Sequence, residues 1–169
     1  MIHKPLRVLA IDPARRGAGF AVLEWPLTLV DWGVRNARTQ KQAKTMGFIG
    51  KLIAQYQPTV VVVETCTVKT SRRSRRVKTL IGQIIRMTKK RNITVKSFSR
   101  TEVGQAFQAF GETTKYGIAK SIISQLPELT PSMPRFRKPW MSDDHRMPIF
   151  TATSLGLIYL YTRNRAENR

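Results

Sequence analysis

Carboxylates are scarce in this chain, so the places they occupy carry information. Asp12 follows a short apolar run from Arg7 to Ile11, and Glu64 follows another from Val60 to Val63. Both runs read as buried strands. If the two strands lie side by side and parallel, their acids project from the same end of a sheet, about 5 Å apart. Like charges that close raise the pKa of at least one group unless a cation lies between them. A hard divalent ion with oxygen ligands, Mg²⁺ or Mn²⁺, meets that need. Set against a phosphate, one or two such ions activate water and stabilise the leaving oxygen. Asp12 and Glu64 are therefore candidate catalytic residues and metal ligands for phosphodiester hydrolysis.

Such a site needs a third acid. Asp143 and Asp144 lie in Ser142-Asp143-Asp144-His145-Arg146, just before an apolar terminal segment. Taken alone, acids there suit the positive end of a helix, and Asp12 before Pro13 is an ordinary turn opener. Together with the two strand-end acids, Asp144 is the expected third metal ligand, and Asp143 joins the catalytic set. His145 is either a ligand or a general base, although a lone loop histidine is more often neither.

The charge balance points the same way. Thirty Lys and Arg stand against ten Asp and Glu, for a formal charge of +20. An excess of that size self-repels and is expected where a polyanion neutralises it. Nucleic acid fits, because each phosphate neutralised releases counterions. No basic amphipathic segment favours a membrane surface instead. Lys69, Arg72, Arg73, Arg75, Arg76 and Lys78 crowd directly after Glu64. They read as a clamp that positions a phosphate backbone without reading its sequence. Arg135, Arg137 and Lys138 form a second basic stretch. Trp140 beside them either stacks on a base or covers the core, the core reading being slightly favoured.

The elements that must hold these groups are legible from periodicity. Arg7–Ile11, Gly17–Trp25 and Leu29–Val34 read as an antiparallel meander, with a tight turn through Ala14 and Arg15 and a break at Pro26. Met46, Ile49, Ile53 and Tyr56 recur at helical spacing up to Gln57-Pro58. The unbroken valines from Val60 suit a strand covered on both faces. A helix follows with Val77, Leu80, Ile81, Ile84 and Ile85 on one side, then a strand from Thr94 to Phe98. Thr101–Phe110 and Lys115–Leu126 read as helices, Pro127 to Pro139 as an irregular loop, and Pro148–Tyr161 as a closing helix. Residues 1–169 thus form a single α/β domain with a mixed sheet flanked by helices. Cys66 is the only cysteine, which excludes a disulfide framework or a cysteine-rich zinc site. No apolar run reaches the roughly 18 residues of a membrane span. The first strand starts too early for a secretory signal, so a cytoplasmic, nucleoid-associated location is expected.

Several stretches resemble one family. Ile11-Asp12-Pro13-Ala14 through Gly19-Phe20-Ala21-Val22 resembles the first motif of RuvC-type Holliday-junction resolvases, and Val61-Val62-Val63-Glu64 resembles the second. Leu80-Ile81-Gly82-Gln83 resembles the Leu-Gly-Gln stretch of the following helix. Phe98 through Gly111 to Lys115 resembles the segment that places a basic residue beside the scissile phosphate. The resemblance spans most of the chain in the family's order. It implies a ribonuclease H-like fold and a two-metal endonuclease for branched DNA, with Asp12, Glu64 and a C-terminal acid as ligands and Lys115 at the phosphate. It also implies a homodimer, since a four-way junction needs two symmetric cuts.

Two positions depart from the family pattern. Thr151 stands where the last helix is expected to carry an acid, and Thr67 where an aromatic residue is expected after the second-motif glutamate. Either Asp143 and Asp144 supply the missing acid, or the site is weakened or dead. Two functional classes follow: an Mg²⁺- or Mn²⁺-dependent structure-selective endonuclease, and a nucleic-acid-binding protein that keeps the fold without the chemistry. A nuclease acting on RNA shares every feature named above.

Overall fold

The computed structural model describes residues 4–39, 41–66 and 72–168. Five strands form one sheet: β1 (Arg7–Ala14), β2 (Gly17–Glu24), β3 (Thr28–Asn36), β4 (Val60–Glu64) and β5 (Thr94–Phe98). Their spatial order is β3-β2-β1-β4-β5. The first three pair antiparallel as the expected meander, and β4 and β5 add in parallel beside β1. Among the described residues five α-helices accompany the sheet: α1 (Lys41–Tyr56), α2 (Arg75–Lys90), α3 (Arg100–Gln108), α4 (Lys115–Gln125) and α5 (Met147–Glu167).

Side-chain alternation along the strands divides the interior into two layers. Leu9, Ile11, Val61 and Val63 face α1 and α2, where they meet Ile49, Ile53, Leu80 and Ile84. Val8, Ala10, Val60 and Val62 face the other way, towards Phe150, Leu155 and Leu157 of α5 and Ile122 of α4. The valine run is therefore buried on both faces, as a central parallel strand requires.

Three boundaries differ from the sequence expectation in ways that bear on the site. β1 continues beyond Ile11 because Asp12, Pro13 and Ala14 still pair with Gly19, Ala18 and Gly17 of β2. The turn accordingly falls at Arg15 and Arg16. Pro13 is tolerated because the parallel pairing of β1 with β4 runs only from Val8–Val60 to Ala10–Val62, so no ladder bond is asked of its missing N–H on that side. The proline-rich segment is not wholly irregular, since Pro127–Ser132 winds as a 3₁₀-helix. Helix α5 runs six residues past Tyr161, through a polar stretch without a breaker, where Arg163 and Glu167 pair one turn apart at 2.9 Å.

Gly19 fixes how close α5 comes to the sheet. A Cβ built there would lie 2.3 Å from the carbonyl carbon and oxygen of Pro148. Only glycine lets the first turn of α5 sit directly over β2, next to the strand pair that includes Asp12.

Candidate active site and nucleic-acid interface

Asp12 and Glu64 come together as the strand order requires. Two residues beyond the Ala10–Val62 pair, both carboxylates emerge at the same end of the sheet, and both are buried, Asp12 4% and Glu64 8% exposed. Between them lies the guanidinium of Arg73. Its Nη2 donates to Asp12 Oδ1 at 2.6 Å and to Glu64 Oε2 at 2.5 Å, its Nε to Glu64 Oε2 at 2.9 Å, and its Nη1 to the Pro13 carbonyl at 3.0 Å. Arg73 directly precedes Ser74, whose hydroxyl caps α2 by accepting from Val77 N–H at 3.4 Å. The helix start thus delivers the side chain to the acids.

Burial pushes the Asp12 carboxyl above its usual value, the Arg73 guanidinium offsets part of that rise, and the Glu64 charge adds to it. For Arg73, burial alone would disfavour the charge, but the two carboxylates more than reverse this and hold the guanidinium protonated. Sequence reading assigned Arg73 to a phosphate clamp and missed this contact. The signal was available: two buried acids with no third acid in their strands need a counter-charge, and Arg73 is the basic residue immediately before the Ser74 helix cap.

The expected catalytic residues lie around two hollows that share Arg73, Lys115, Met147 and Thr151 along their walls. Asp12, Asp143 and Asp144 belong to one, Glu64 and Arg100 to the other. Lys115 is the first residue of α4, capped by the Thr114 hydroxyl, which accepts from Gly117 N–H at 3.0 Å. It lies near enough to act on the Asp12 charge, and its ammonium pairs with Asp143.

Asp144 is not a free ligand, because its own loop engages its carboxylate. It is 3% exposed, accepting from Arg146 Nε and backbone N at 3.0 Å each, from Arg146 Nη2 at 3.1 Å and from Arg135 N at 3.1 Å. The hydrogen bond from the Arg146 side chain, with those from the two backbone N–H groups, holds this carboxyl well below the usual carboxylate range despite burial. Among the described residues no three His, Cys, Asp or Glu side chains are grouped as they would be around a metal ion. The expected trio of Asp12, Glu64 and Asp144 is therefore not assembled, because local cations and N–H groups engage Asp144 fully. Exposed His145 stands 3.5 Å from Asp144 Oδ1. Thr151 lines both hollows, with its hydroxyl turned back to the Met147 carbonyl at 3.3 Å.

The donor set fits a divalent cation in part. Asp12 and Glu64 offer paired oxygens at the place Arg73 now spans, whereas Thr151, on the wall of both hollows, offers no carboxylate. Around this centre Arg72, Arg75 and Arg76 are exposed on the approach to α2 and in its first turn, and Lys78 is half-buried. Lys69 and Thr67 lie outside the described residues. Arg135, Arg137 and Lys138 are exposed on the loop between the 3₁₀-helix and α5. Trp140 on that loop is 78% exposed, which corrects the core reading: the ring stands in solvent with the Lys138 ammonium 5.2 Å from its centroid. No helix among the described residues is long and apolar enough to cross a membrane.

No protein-family model matches the chain, and no curated protein does. Solved structures do. Thermus thermophilus RuvC shares 17% identity at a TM-score of 0.67, over 93% of this chain and 95% of its own. The same protein in complex with a Holliday junction substrate gives 16% identity and 0.64, over 94% and 95%. The yeast mitochondrial Holliday junction resolvase gives 12% identity and 0.65, over 91% of this chain and 77% of its own. With its meander, added parallel strands and flanking helices in the same arrangement, the chain has the ribonuclease H-like fold of RuvC.

Proposed function

We propose that the protein is a structure-selective endonuclease for branched DNA, using Asp12 and Glu64 to hold Mg²⁺ or Mn²⁺. The observation that carries this reading is the buried carboxylate pair at one sheet end, already bridged by a cation, on a fold whose solved relatives include junction resolvases. The ion, when bound, supplies activation of water and stabilisation of the leaving oxygen.

The chain's own residues do the rest. Arg73 neutralises the pair in the free protein, and a substrate phosphate competes for the same guanidinium. Once Arg73 turns to that phosphate, both carboxylates are free for the cation. Lys115 faces the scissile phosphate from the start of α4, while Asp143 holds its ammonium over the hollow. Lys69, Arg72, Arg75, Arg76 and Lys78 take the flanking backbone, as do Arg135, Arg137 and Lys138. Two copies of the chain would make the two cuts of a four-way junction.

The engaged Asp144 and the threonine at 151 favour a second reading, a protein that binds branched nucleic acid without cutting it. Labelled four-way junction, linear duplex and structured RNA, incubated with Mg²⁺, Mn²⁺ or EDTA beside the Asp12→Asn variant, separate the two. Metal-dependent symmetric nicking of the junction, lost in the variant, is the expected result. Binding without cutting in every metal would select the second reading, and cutting of the RNA alone would reassign the substrate.

A further inference from the structure

The two most exposed large apolar side chains among the described residues are both aromatic, and they lie four positions apart on one loop. Trp140 is 78% exposed and Phe136 66%. Arg135, Arg137 and Lys138 share that loop, and no carboxylate occurs between Leu129 and Ser142.

The loop is built rather than slack. Asp144 ties its two ends together, accepting from Arg135 N at one side and from Arg146 at the other. The Met141 N–H donates to the Lys138 carbonyl at 2.9 Å, closing a turn at the tip. The Lys138 ammonium stands 5.2 Å from the Trp140 ring centroid. The Phe136 ring meets Tyr116 edge to face, at 5.3 Å and 82°. Tyr116 follows Lys115 on α4, and Ser142 and Asp143 line the hollow that contains Asp12. An aromatic and basic tip is thereby fixed beside the carboxylate centre.

From this arrangement we infer that the 135–146 loop is a stacking platform for unpaired bases, with Trp140 as its principal ring. The inference rests on the nucleic-acid reading above and names the part of the substrate that is recognised. Presenting a large indole to water costs the fold apolar burial, whereas a flat π-face amid cations is what a splayed base and its phosphate require. In a continuous duplex the bases remain stacked on one another. At a branch point stacking is interrupted, so a base can reach the indole. The platform makes Asp144 a positioning residue of the loop.

Fluorescence anisotropy in EDTA tests this with labelled four-way junction, oligo(dT) and linear duplex, on the full chain and its Trp140→Ala and Trp140→Phe variants. Trp140→Ala should weaken junction and oligo(dT) binding by about tenfold, leave duplex affinity unchanged, and be largely rescued by Trp140→Phe. Equal loss on all three ligands, or no loss on any, would overturn the platform. If the unmodified protein bound none of them, the nucleic-acid reading itself would fall, a result distinguishable from failure of the platform alone.

Discussion

Lys115 and Asp143 are paired with each other, ammonium to carboxylate, beside the hollow that Asp12 lines. Both side chains are partly solvent-exposed, so the pair orients the lysine more than it stabilises the fold. On the function proposed above, Asp143 also sets a negative charge where a phosphate is to bind. Asp143→Asn should therefore tighten junction binding by about fivefold at low salt, the effect of roughly 1 kcal/mol for a unit charge at about 4 Å in water. The gain should fade as ionic strength rises. A salt titration by anisotropy checks both, and an unchanged affinity at low salt would place the phosphate elsewhere.

Arg73 is the counter-charge of Asp12 and Glu64, so its removal should separate stability from metal affinity. Arg73→Gln should cost about 2–3 kcal/mol in EDTA, below the roughly 3–5 kcal/mol of a fully buried pair, because the Arg73 side chain keeps 25% exposure. The same variant should bind Mn²⁺ more tightly, since the cation that bridges the carboxylates is gone. Thermal melts in EDTA and Mn²⁺ titration by electron paramagnetic resonance read these two effects independently. Unaltered Mn²⁺ affinity would show that the ion does not occupy the position of the guanidinium.

Asp144 gives a pH signature. Its folded-state pKa lies below the ordinary value of 3.8. The stabilisation it supplies is therefore present above 3.8 and is lost as pH falls through that value towards the depressed one. Asp144→Ala should lower stability near pH 7 by about 1–2 kcal/mol, the usual scale for unpairing buried backbone donors. The gap from wild type should narrow below pH 4. Denaturant melts at pH 7, 5 and 3 test this, and a gap independent of pH would mean that the carboxylate charge is irrelevant.

Gly19 allows no side chain against Pro148. Gly19→Ala should cost about 1–3 kcal/mol, the usual penalty of overpacking, and should lift the start of α5 from the sheet. Thermal melting measures the first, and amide hydrogen exchange across residues 147–151 the second. Normal protection there would show that β2 yields instead.

The fold was readable because its core obeys simple periods. The four valines from Val60, the meander from Arg7 and the helical spacing of Leu80, Ile81 and Ile84 each point to one element type, and only the ends shift. The Asp12–Glu64 pair was equally legible, since it depends on strand ends and on parallel order. What stayed hidden depends on side-chain competition at short range. Asp144 lies two residues from Arg146 and nine from Arg135, and spacing cannot tell a metal ligand from a carboxylate that its own loop engages. Arg73 was hidden among neighbouring cations of the same type, and only its place before the Ser74 cap distinguishes it. Trp140 was misread because apolar area implies burial on average, while a fixed exposed turn overrides the average.

Thr151 makes the architecture and the chemistry separately adjustable. Its hydroxyl bonds only to the backbone of its own helix, while the packing of α5 rests on Phe150, Leu155 and Leu157 against the sheet. An acid introduced at that position would leave those contacts untouched and add a negative charge beside Glu64 and Arg73. The charge facing the hollow from this turn of α5 can therefore change through one side chain, without reworking the packing that holds the helix on the sheet.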